Sequence, residues 1–335
     1  MTIETPPPPS IAPTTPPDVA AVIELDLTER PWNASQLHRP AFLLNVPFSF
    51  STDVANNAWM ADLDPAEREP NHTRAMSQFW EVYSYLSADA AVYLVPTPRD
   101  CGLQDLVFTG NLGIVPEHVP ARDTVVVSNF TSDPRLGEAA VGVRFFEDMG
   151  YRVLVPPTKF EGEADLKHLH DNVYAGGHGM RSQRDTYRWM ARTLDMKIVE
   201  LEITDAYLYH LDCTVFPLTV EQTLVCTEMY EEDELAALEG ETDIVDVSVD
   251  DAYQGICNSV RLGNVILNAS NIHELRRGTE EYKLEARKNH RLEEIAAENA
   301  FEVAYFNLSE YMKGGALLSC MVMHLNRYSY AFRLV

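Results

Sequence analysis

The sequence predicts an α/β protein in which five similar units share one centre. The first observation is a repeat, since a helix-like amphipathic stretch followed by a short apolar, strand-like run occurs five times. The second is that a loop with polar or sulfur-containing side chains follows each strand-like run. The third is composition, because 46% hydrophobic and 10% aromatic residues in a chain of 335 are typical of a globular protein with a sizeable core.

Each unit pairs one predicted helix with one predicted strand. In chain order the helix and strand ranges are 75–88 with 91–96, 137–149 with 151–156, 184–194 with 197–202, 232–239 with 243–249, and 280–299 with 301–306. This alternation alone would also fit unrelated α/β units. The loops favour related units, because like positions in repeats related by rotation face the same axis.

Residues that are able to do chemistry occur in the five loops that follow these strands. In order, the loops contain Asp105 with Asn111, Glu161 with Asp165, His210 with Asp212, Cys257 with Asn258, and Cys320. We therefore expect the loops to meet in one central pocket.

The charge balance and the cysteines exclude several classes of protein. With 26 Lys and Arg against 51 Asp and Glu, the net charge of −25 disfavours a nucleic-acid partner, because such binding depends on basic side chains. No apolar run approaches the roughly 18 residues of a membrane span, so a cytoplasmic protein without a membrane partner is expected. The five cysteines form no CxxC pair, which predicts free thiols rather than disulfides or a thiolate zinc site.

The N-terminal segment has a different composition from the remainder. Seven prolines lie between positions 6 and 17, and such a composition has little to bury. We predict a disordered Pro-rich arm over residues 1–20 and one catalytic domain over 21–335. The alternative for the arm is a docking site for a proline-recognising module.

Two short motifs carry candidate catalytic groups. Cys320 follows a flexible Gly-Gly pair, and we expect its thiol to lie at the mouth of a strand close to backbone N–H groups. Such a setting can lower the pKa of a thiol and expose a nucleophile, although a lone cysteine is more often a small buried hydrophobe. His210 and Asp212 would share one face if residues 209–212 formed a strand, which would direct a base and a carboxylate into one space. The alternative is a structural histidine beside an exposed aspartate.

Two further motifs carry candidate binding groups. Residues 160–165 place three carboxylates around a glycine, which suits a cationic head group better than Ca²⁺, because the spacing is not that of an EF-hand. Arg181 ends a glycine-rich segment and is a candidate for holding a carboxylate in bidentate fashion. A surface arginine near a helix start is the equally simple interpretation of Arg181.

Taken together, the Phe-Glu-Gly at 160–162, residues 177–181, the Tyr-His-Leu-Asp at 209–212 and a Gly-Gly followed by Cys320 resemble the guanidine-modifying, or pentein, superfamily. This superfamily includes arginine deiminases, dimethylarginine hydrolases and amidinotransferases. The resemblance covers nearly everything after the Pro-rich arm, in the right order. It implies a five-bladed α/β propeller of ββαβ-type repeats around a central active site, with no cofactor and no metal.

Two segments are similar to the bacterial arginine dihydrolase branch of this superfamily. Residues 57–60, Asn-Ala-Trp-Met, look like its Asn-Pro-Trp-Met, and residues 105–111, Asp-Leu-Val-Phe-Thr-Gly-Asn, look like its Asp-Met-Val-Phe-Thr-Ala-Asn. Deiminases carry an aspartate at the position of Asn111, whereas the amide is associated with enzymes that process arginine past citrulline to ornithine. An amide also suits a neutral ureido group, because it both donates and accepts hydrogen bonds.

The resemblance implies a role for each motif. The implied catalytic residues are Cys320, His210 and Glu161, and the implied substrate-binding residues are Asp212, Asn111, Asn57, Arg181 and Asp165. Glu163 would take the place of Glu161 in a shifted alignment. Cys257 is expected to be a packing residue.

The function so implied is cysteine-dependent hydrolysis of arginine to ornithine, ammonia and carbon dioxide through a covalent thiouronium intermediate. One alternative is an amidinotransferase that passes the amidino group of arginine to an amine. Hydrolysis of a modified arginine and non-catalytic binding of a guanidine remain open as well. The expected partner is a small guanidine compound, and the sequence leaves a homo-oligomer open.

Overall fold

Fifteen short strands form five three-stranded sheets in the residues that the computed structural model describes, 33–99 and 101–331. The strands are β1 (Ala41–Leu44), β2 (Ala91–Leu94), β3 (Gly113–Ile114), β4 (Thr124–Val127), β5 (Arg152–Leu154), β6 (Leu166–His170), β7 (Val173–His178), β8 (Lys197–Glu202), β9 (Val215–Pro217), β10 (Gln222–Val225), β11 (Asp243–Asp246), β12 (Val260–Leu262), β13 (Val265–Ala269), β14 (Glu302–Phe306) and β15 (Met323–His324). The predicted arm over residues 1–20 lies outside the described part of the chain.

Helices of very different length connect these strands. They are α1 (Ala58–Ala61), α2 (Pro65–Arg68), α3 (His72–Asp89), α4 (Glu138–Asp148), α5 (Arg184–Leu194), α6 (Glu232–Glu239), α7 (Val249–Tyr253), α8 (Glu280–Glu298), α9 (Ser309–Met312) and α10 (Leu318–Met321). None of these described helices combines the length and the apolar character needed to cross a bilayer.

Every sheet is built to the same plan. The middle strands β1, β4, β7, β10 and β13 each pair antiparallel with one neighbour and parallel with the other. A parallel pair needs a crossover connection, and in each sheet a helix supplies it, namely α3, α4, α5, α6 and α8. The mixed α/β class and the five predicted helix–strand pairs are thereby confirmed, with boundaries that differ by a few residues.

The third unit shows why these sequences fold locally as they do. Helix α5 buries Tyr187, Met190 and Leu194, whose spacing of three and four residues places them on one side of the helix. Asp195 ends the helix in the left-handed conformation, with φ of +56°. The apolar side of the helix therefore packs against the sheet of β6, β7 and β8.

The first sheet combines segments that are far apart in sequence. Strand β15 pairs antiparallel with β1, so that Leu43 lies opposite Met323 and Phe42 lies opposite His324. Leu43 and Met323 are fully buried in one apolar cluster. This pairing places the segment that follows Cys320 next to the beginning of the described chain.

Candidate active site

The polar loops of the five units contact one another, as expected. Three of them fold as single 3-10 turns, Thr109–Asn111, Gly162–Ala164 and Leu211–Cys213, and the others are the loop around Asn258 and helix α10. Hydrogen bonds join them in pairs: Asn111 meets His210, His210 meets Glu161, and Asn258 meets both Asp212 and Cys320.

Glycines allow two of these approaches. A Cβ on Gly162 would lie 2.7 Å from the carbonyl of Asn111, and Gly162 itself has φ of +65°. A Cβ on Gly110 would lie 2.2 Å from the carbonyl oxygen of Ser319. In both cases the obstructing atoms belong to the backbone, which cannot rotate away.

The Cys320 thiol is buried between a carboxylate and an amide. Its Sγ lies 3.6 Å from Asp212 Oδ2, and Asn258 Nδ2 donates to Sγ at 3.5 Å. Burial and the neighbouring Asp212 carboxylate raise the pKa of the Cys320 thiol to about 12, although the Asn258 hydrogen bond acts in the opposite direction. The site therefore holds a protonated thiol at neutral pH.

Two expectations about Cys320 are corrected by this arrangement. The predicted setting at a strand mouth is wrong, because Cys320 lies in the four-residue helix α10 and β15 begins only at Met323. The expected lowering of the thiol pKa is also wrong for the protein without a ligand. The physical reason is that a buried anion beside Asp212 would suffer both desolvation and like-charge repulsion.

A second pair, formed by residues of two different loops, faces the thiol. His210 Nε2 lies 2.8 Å from Glu161 Oε2, and both side chains are almost completely buried. Burial alone would raise the pKa of Glu161, but the hydrogen bond and charge of His210, together with the Arg181 and Arg135 guanidiniums, lower it to about 2. Glu161 is thus a permanent anion that orients the imidazole.

The predicted strand at residues 209–212 is not formed. Strand β8 ends at Glu202, and His210 instead caps the 3-10 turn Leu211–Cys213. The Leu211 N–H donates to Asp165 Oδ1 at 3.3 Å, a tertiary contact that favours the turn. Consequently the carboxylate partner of His210 is Glu161, whereas Asp212 contacts the thiol.

Asp212 connects three groups of the site. Its Oδ2 accepts hydrogen bonds from Ser319 Oγ at 2.5 Å and from Asn258 Nδ2 at 3.2 Å, and it also faces Cys320. Asp212 has no exposed surface. A buried carboxylate held in this way provides a fixed negative charge next to the sulfur.

Asn111 offers an unused acceptor. Its Nδ2 lies 3.5 Å from His210 Nε2, while its Oδ1 is buried with no hydrogen-bond partner among the described residues. Because buried polar atoms are rarely left unpaired, this oxygen marks a place where a ligand N–H would fit.

A small polar cavity extends from Cys320 and His210 towards Arg181 and Asp105. Asn57, Asn111 and Arg135 also line it. The Arg181 guanidinium stacks 4.8 Å from the Tyr209 ring and donates to the Asn56 carbonyl at 2.7 Å. The cavity therefore combines an anion-binding end with an amide- and carboxylate-lined centre.

Asn57 has its hydrogen-bonding groups already engaged. Its Oδ1 accepts from the Met60 N–H at the start of α1, and its Nδ2 donates to the Gly314 carbonyl at 3.0 Å. A Cβ on Gly315 would lie only 2.6 Å from Asn57 Oδ1. Asn57 thus lines the polar cavity and also joins α1 to the loop that precedes Cys320.

Asp165 and Glu163 lie outside the polar cavity. Asp165 accepts from Ser182 Oγ at 2.6 Å and from the Leu211 N–H, and burial raises its pKa to about 6. Glu163 instead lies 2.8 Å from Nδ1 of His324. Of the two alternative registers, the structure therefore brings Glu161, and not Glu163, to His210.

Sequence reasoning assigned no role to four residues at this site, although it placed Asn258 in one of the five polar loops. Asn258 and Ser319 touch the Asp212–Cys320 pair, Arg135 lines the polar cavity while paired with Glu138 at 2.7 Å, and Tyr209 separates Arg181 from the loop before Cys320. Only Asn258 had a usable signal, since it follows a strand-like run as the other candidates do. Its neighbour Cys257 is buried in an apolar cluster.

Comparison with known proteins agrees with the mixed α/β fold and with the family resemblance, and the protein is of the guanidine-modifying, or pentein, superfamily. Within it, the chain belongs to the family described as N,N dimethylarginine dimethylhydrolase, eukaryotic, which matches residues 46–327.

Curated relatives carry two different names. The chain is 27% identical to the bifunctional arginine dihydrolase/ornithine cyclodeaminase AgrE of Nostoc sp., over 86% of this chain and 38% of AgrE. It is also 27% identical to the N(G),N(G)-dimethylarginine dimethylaminohydrolase of Mycobacterium tuberculosis, over 85% of each chain. The chain thus spans about two fifths of the length of the first relative and most of the second.

Among solved structures, the chain is similar to the N-terminal domain of ArgZ, an arginine dihydrolase from Cyanobacteria, in a mutant bound to substrate. The TM-score is 0.74 at 25% identity, with 86% of this chain and 98% of that chain covered. Another structure of that domain, with a TM-score of 0.73, is covalently bonded to a reaction intermediate.

Proposed function

We propose that this chain hydrolyses the guanidinium group of arginine and acts as an arginine dihydrolase, yielding ornithine, ammonia and carbon dioxide. One observation carries the proposal: a buried thiol beside Asp212 faces the His210–Glu161 pair across a cavity lined by Asn111, whose amide oxygen has no partner in the described part of the chain. The relatives named as arginine dihydrolases support it. So does the covalent intermediate in the ArgZ domain, which agrees with a covalent mechanism.

Because the pKa of the Cys320 thiol is raised, the bound substrate has to help form the thiolate. A guanidinium cation placed against Asp212 would neutralise its charge and lie next to Sγ, which lowers the pKa of Cys320. The thiol releases its proton to solvent, and the thiolate then attacks the guanidinium carbon to form a tetrahedral adduct. Because the protein alone keeps the thiol protonated, the bound guanidinium cation helps to form the nucleophile of the first cycle.

His210 serves as the acid and then as the base. Its imidazolium, stabilised by Glu161, gives a proton to the departing ammonia, and the neutral ring then removes a proton from the water that hydrolyses the thiouronium. Asp212 and Asn111 hold the nitrogens and orient the carbon towards sulfur. In a second cycle, Asn111 would donate to and accept from the neutral ureido group of citrulline.

The remaining polar residues have supporting roles in this proposal. Arg181, with Arg135 behind it, binds the α-carboxylate, and Asn57 closes the wall of the cavity. Asp165 fixes the turn that carries His210 and so is a positioning residue rather than a substrate ligand.

The arrangement of the units completes the proposal. Five ββαβ units whose loops meet at one site are what a five-bladed propeller requires, and we infer that the sheets surround a central axis at Cys320. We further infer that residues 21–335 make up one catalytic domain.

A second candidate function is hydrolysis of dimethylarginine to citrulline. The matching family description and the relative from Mycobacterium tuberculosis favour it. The same thiol, imidazole and carboxylates would act, and only the leaving amine would differ. Asn111 favours arginine as the substrate instead, because its amide suits the neutral ureido group of citrulline, the substrate of the second cycle.

The test is incubation of purified protein with arginine alone, or with dimethylarginine alone, and measurement of ammonia, dimethylamine, citrulline and ornithine over time. Ornithine with about two ammonia molecules per arginine is the expected result for the double hydrolysis. A Cys320→Ser protein is the control and should be inactive. Citrulline as the final product would indicate a deiminase, and turnover only with an added amine would indicate an amidinotransferase.

A further inference from the structure

A second cavity adjoins Cys320 on the side away from Asn111. It has a volume of about 170 Å³, and its walls include Trp59, Tyr207, Tyr253, Gly255, Met312 and Leu317. For comparison, a dry apolar cavity of about 150 Å³ is large enough to bind benzene. We call this space the aromatic cavity.

The aromatic cavity and the polar cavity are separate spaces that share the reacting groups. His210 and Cys320 line both. Between them, the Tyr209 hydroxyl donates to the Gly315 carbonyl at 2.9 Å, and Ala316 also borders each space. The sulfur therefore lies at a junction between a charged compartment and an apolar one.

The three aromatic rings of the wall pack against one another. The Trp59 ring packs edge-on against Tyr207 and Tyr253, with centroids 5.0 and 6.0 Å apart. The two hydroxyls are held by carboxylates, Tyr207 by Asp62 at 2.7 Å and Tyr253 by Asp205 at 2.9 Å. The polar ends of these side chains are thus already satisfied.

The described lining of the aromatic cavity offers a carboxylate no permanently charged partner. Among the described residues around the aromatic cavity there is no lysine or arginine, whereas Arg181 and Arg135 both line the polar cavity. The amino-acid end of arginine consequently belongs in the polar cavity. What remains for the aromatic cavity is a neutral, apolar group attached near the reacting carbon.

We propose that the aromatic cavity binds a hydrocarbon substituent, up to the size of a benzyl group, on the terminal guanidine nitrogen that faces His210. This inference rests on the proposed function and names a substrate class for the same site. It goes beyond dimethylarginine, because the space is large enough for a six-membered ring and is lined by aromatic side chains.

The chemistry balances without a further reactant. The Cys320 thiolate forms a bond to the guanidinium carbon, and the bond from carbon to the substituted nitrogen breaks as His210 gives that nitrogen its proton. Water then adds to the carbon, the carbon–sulfur bond breaks, and citrulline and a free primary amine result. The departing amine is released from the side where its substituent is bound.

The experiment compares Nω-benzylarginine with arginine on the full-length protein. Benzylamine and ammonia are measured separately, and the readout is the ratio of kcat/KM for the two substrates. We expect the wild type to release benzylamine with a kcat/KM within about tenfold of that for arginine. Gln254→Trp, which fills the cavity, and Tyr253→Ala, which removes a wall, should each lower the ratio by about tenfold or more. Ser84→Trp adds a tryptophan to the exposed side of α3 and should leave the ratio unchanged.

The outcomes separate this inference from the proposed function. Ammonia from arginine without benzylamine would overturn the inference and leave the function standing. Benzylamine without ammonia from arginine would do the reverse. If Gln254→Trp lowers kcat/KM for both substrates equally, the cavity is an approach route for every substrate, and the inference is wrong.

Discussion

The Cys320 side chain has to be unreactive as a thiol and reactive as a thiolate. A buried neutral thiol is inert towards unspecific oxidants and alkylating agents, whereas catalysis needs a thiolate. Asp212 accounts for both states, because its charge disfavours the anion when the site is empty and attracts the cation that makes the anion stable. Reactivity is thereby tied to occupancy of the site.

The reactivity of Cys320 towards iodoacetamide should depend on pH accordingly. Since the pKa of the thiol is raised to about 12, the thiolate fraction grows as pH rises, and the alkylation rate should still be increasing above pH 9. The rate is measured by mass spectrometry of the peptide that contains Cys320. A rate that levels off near pH 7 would contradict the raised pKa.

Asn111 is the residue expected to determine the final product. An Asn111→Asp variant would replace an amide by a group that only accepts hydrogen bonds once it is ionised, so binding of neutral citrulline should weaken more than binding of cationic arginine. We expect the product to shift from ornithine towards citrulline, measured as the ratio of the two at equal arginine consumption. Unchanged product ratios would remove this role from Asn111.

At the scale of elements, the site depends on short turns that touch through their backbones. The turn Gly162–Ala164 follows Glu161, and the turn Thr109–Asn111 carries Asn111, so their contact sets the position of the carboxylate relative to the amide. Such contacts tolerate glycine only. The geometry of the catalytic pair is therefore sensitive to substitutions that do not touch a functional side chain.

Gly162→Ala should damage both stability and activity. The new Cβ would meet backbone atoms of Gly110 and Asn111 within 2.8 Å, in addition to the strain of a positive φ. The expected loss is about 2–4 kcal/mol in the free energy of unfolding, measured by denaturant titration, together with a lower kcat.

Gly263→Ala is the matched control for this variant. Gly263 has φ of +60° and no atom within 4 Å of the added Cβ, so only the strain remains, at about 1 kcal/mol. Equal losses in the two variants would show that the contact between the turns has no energetic weight.

At the scale of the whole molecule, the pairing of β15 with β1 joins the segment after the nucleophile to the first sheet. Cys320 and β15 are separated by only two residues, so the position of the thiol is coupled to that sheet. Met323 is fully buried opposite Leu43. A substitution that disrupts this pairing should therefore affect both the hydrophobic core and the active site.

Met323→Ala should cost about 2–5 kcal/mol in the free energy of unfolding, because it leaves a cavity in a fully buried cluster. Met180→Ala, at a side chain with 39% exposure, is the control and should change the free energy by less than about 0.5 kcal/mol. Chemical denaturation followed by fluorescence measures both. Similar values for the two methionines would contradict the structural weight of the pairing.

The elements themselves were predictable because their signals are local. Helix α5 and strand β8 match the predicted ranges 184–194 and 197–202. Their signals, the periodic apolar residues and the turn at Asp195, all lie within about twenty positions of the sequence. The interpretation failed at residues 209–212. There, alternation favoured a strand, and a hydrogen bond from Leu211 to the distant Asp165 favoured a turn.

The sequence by itself determined the α/β class, the five helix–strand units, the order of the chemistry-bearing loops and the family resemblance. Only the tertiary structure decided that Glu161 rather than Glu163 meets His210, that Asn258 and Arg135 belong to the site, and that an aromatic cavity adjoins the sulfur. The physical reason is distance along the chain. Periodicity indicates which side of its own helix or strand a residue occupies. The burial, charge and hydrogen bonds of Cys320 instead arise from segments about 60 to more than 200 residues away in sequence.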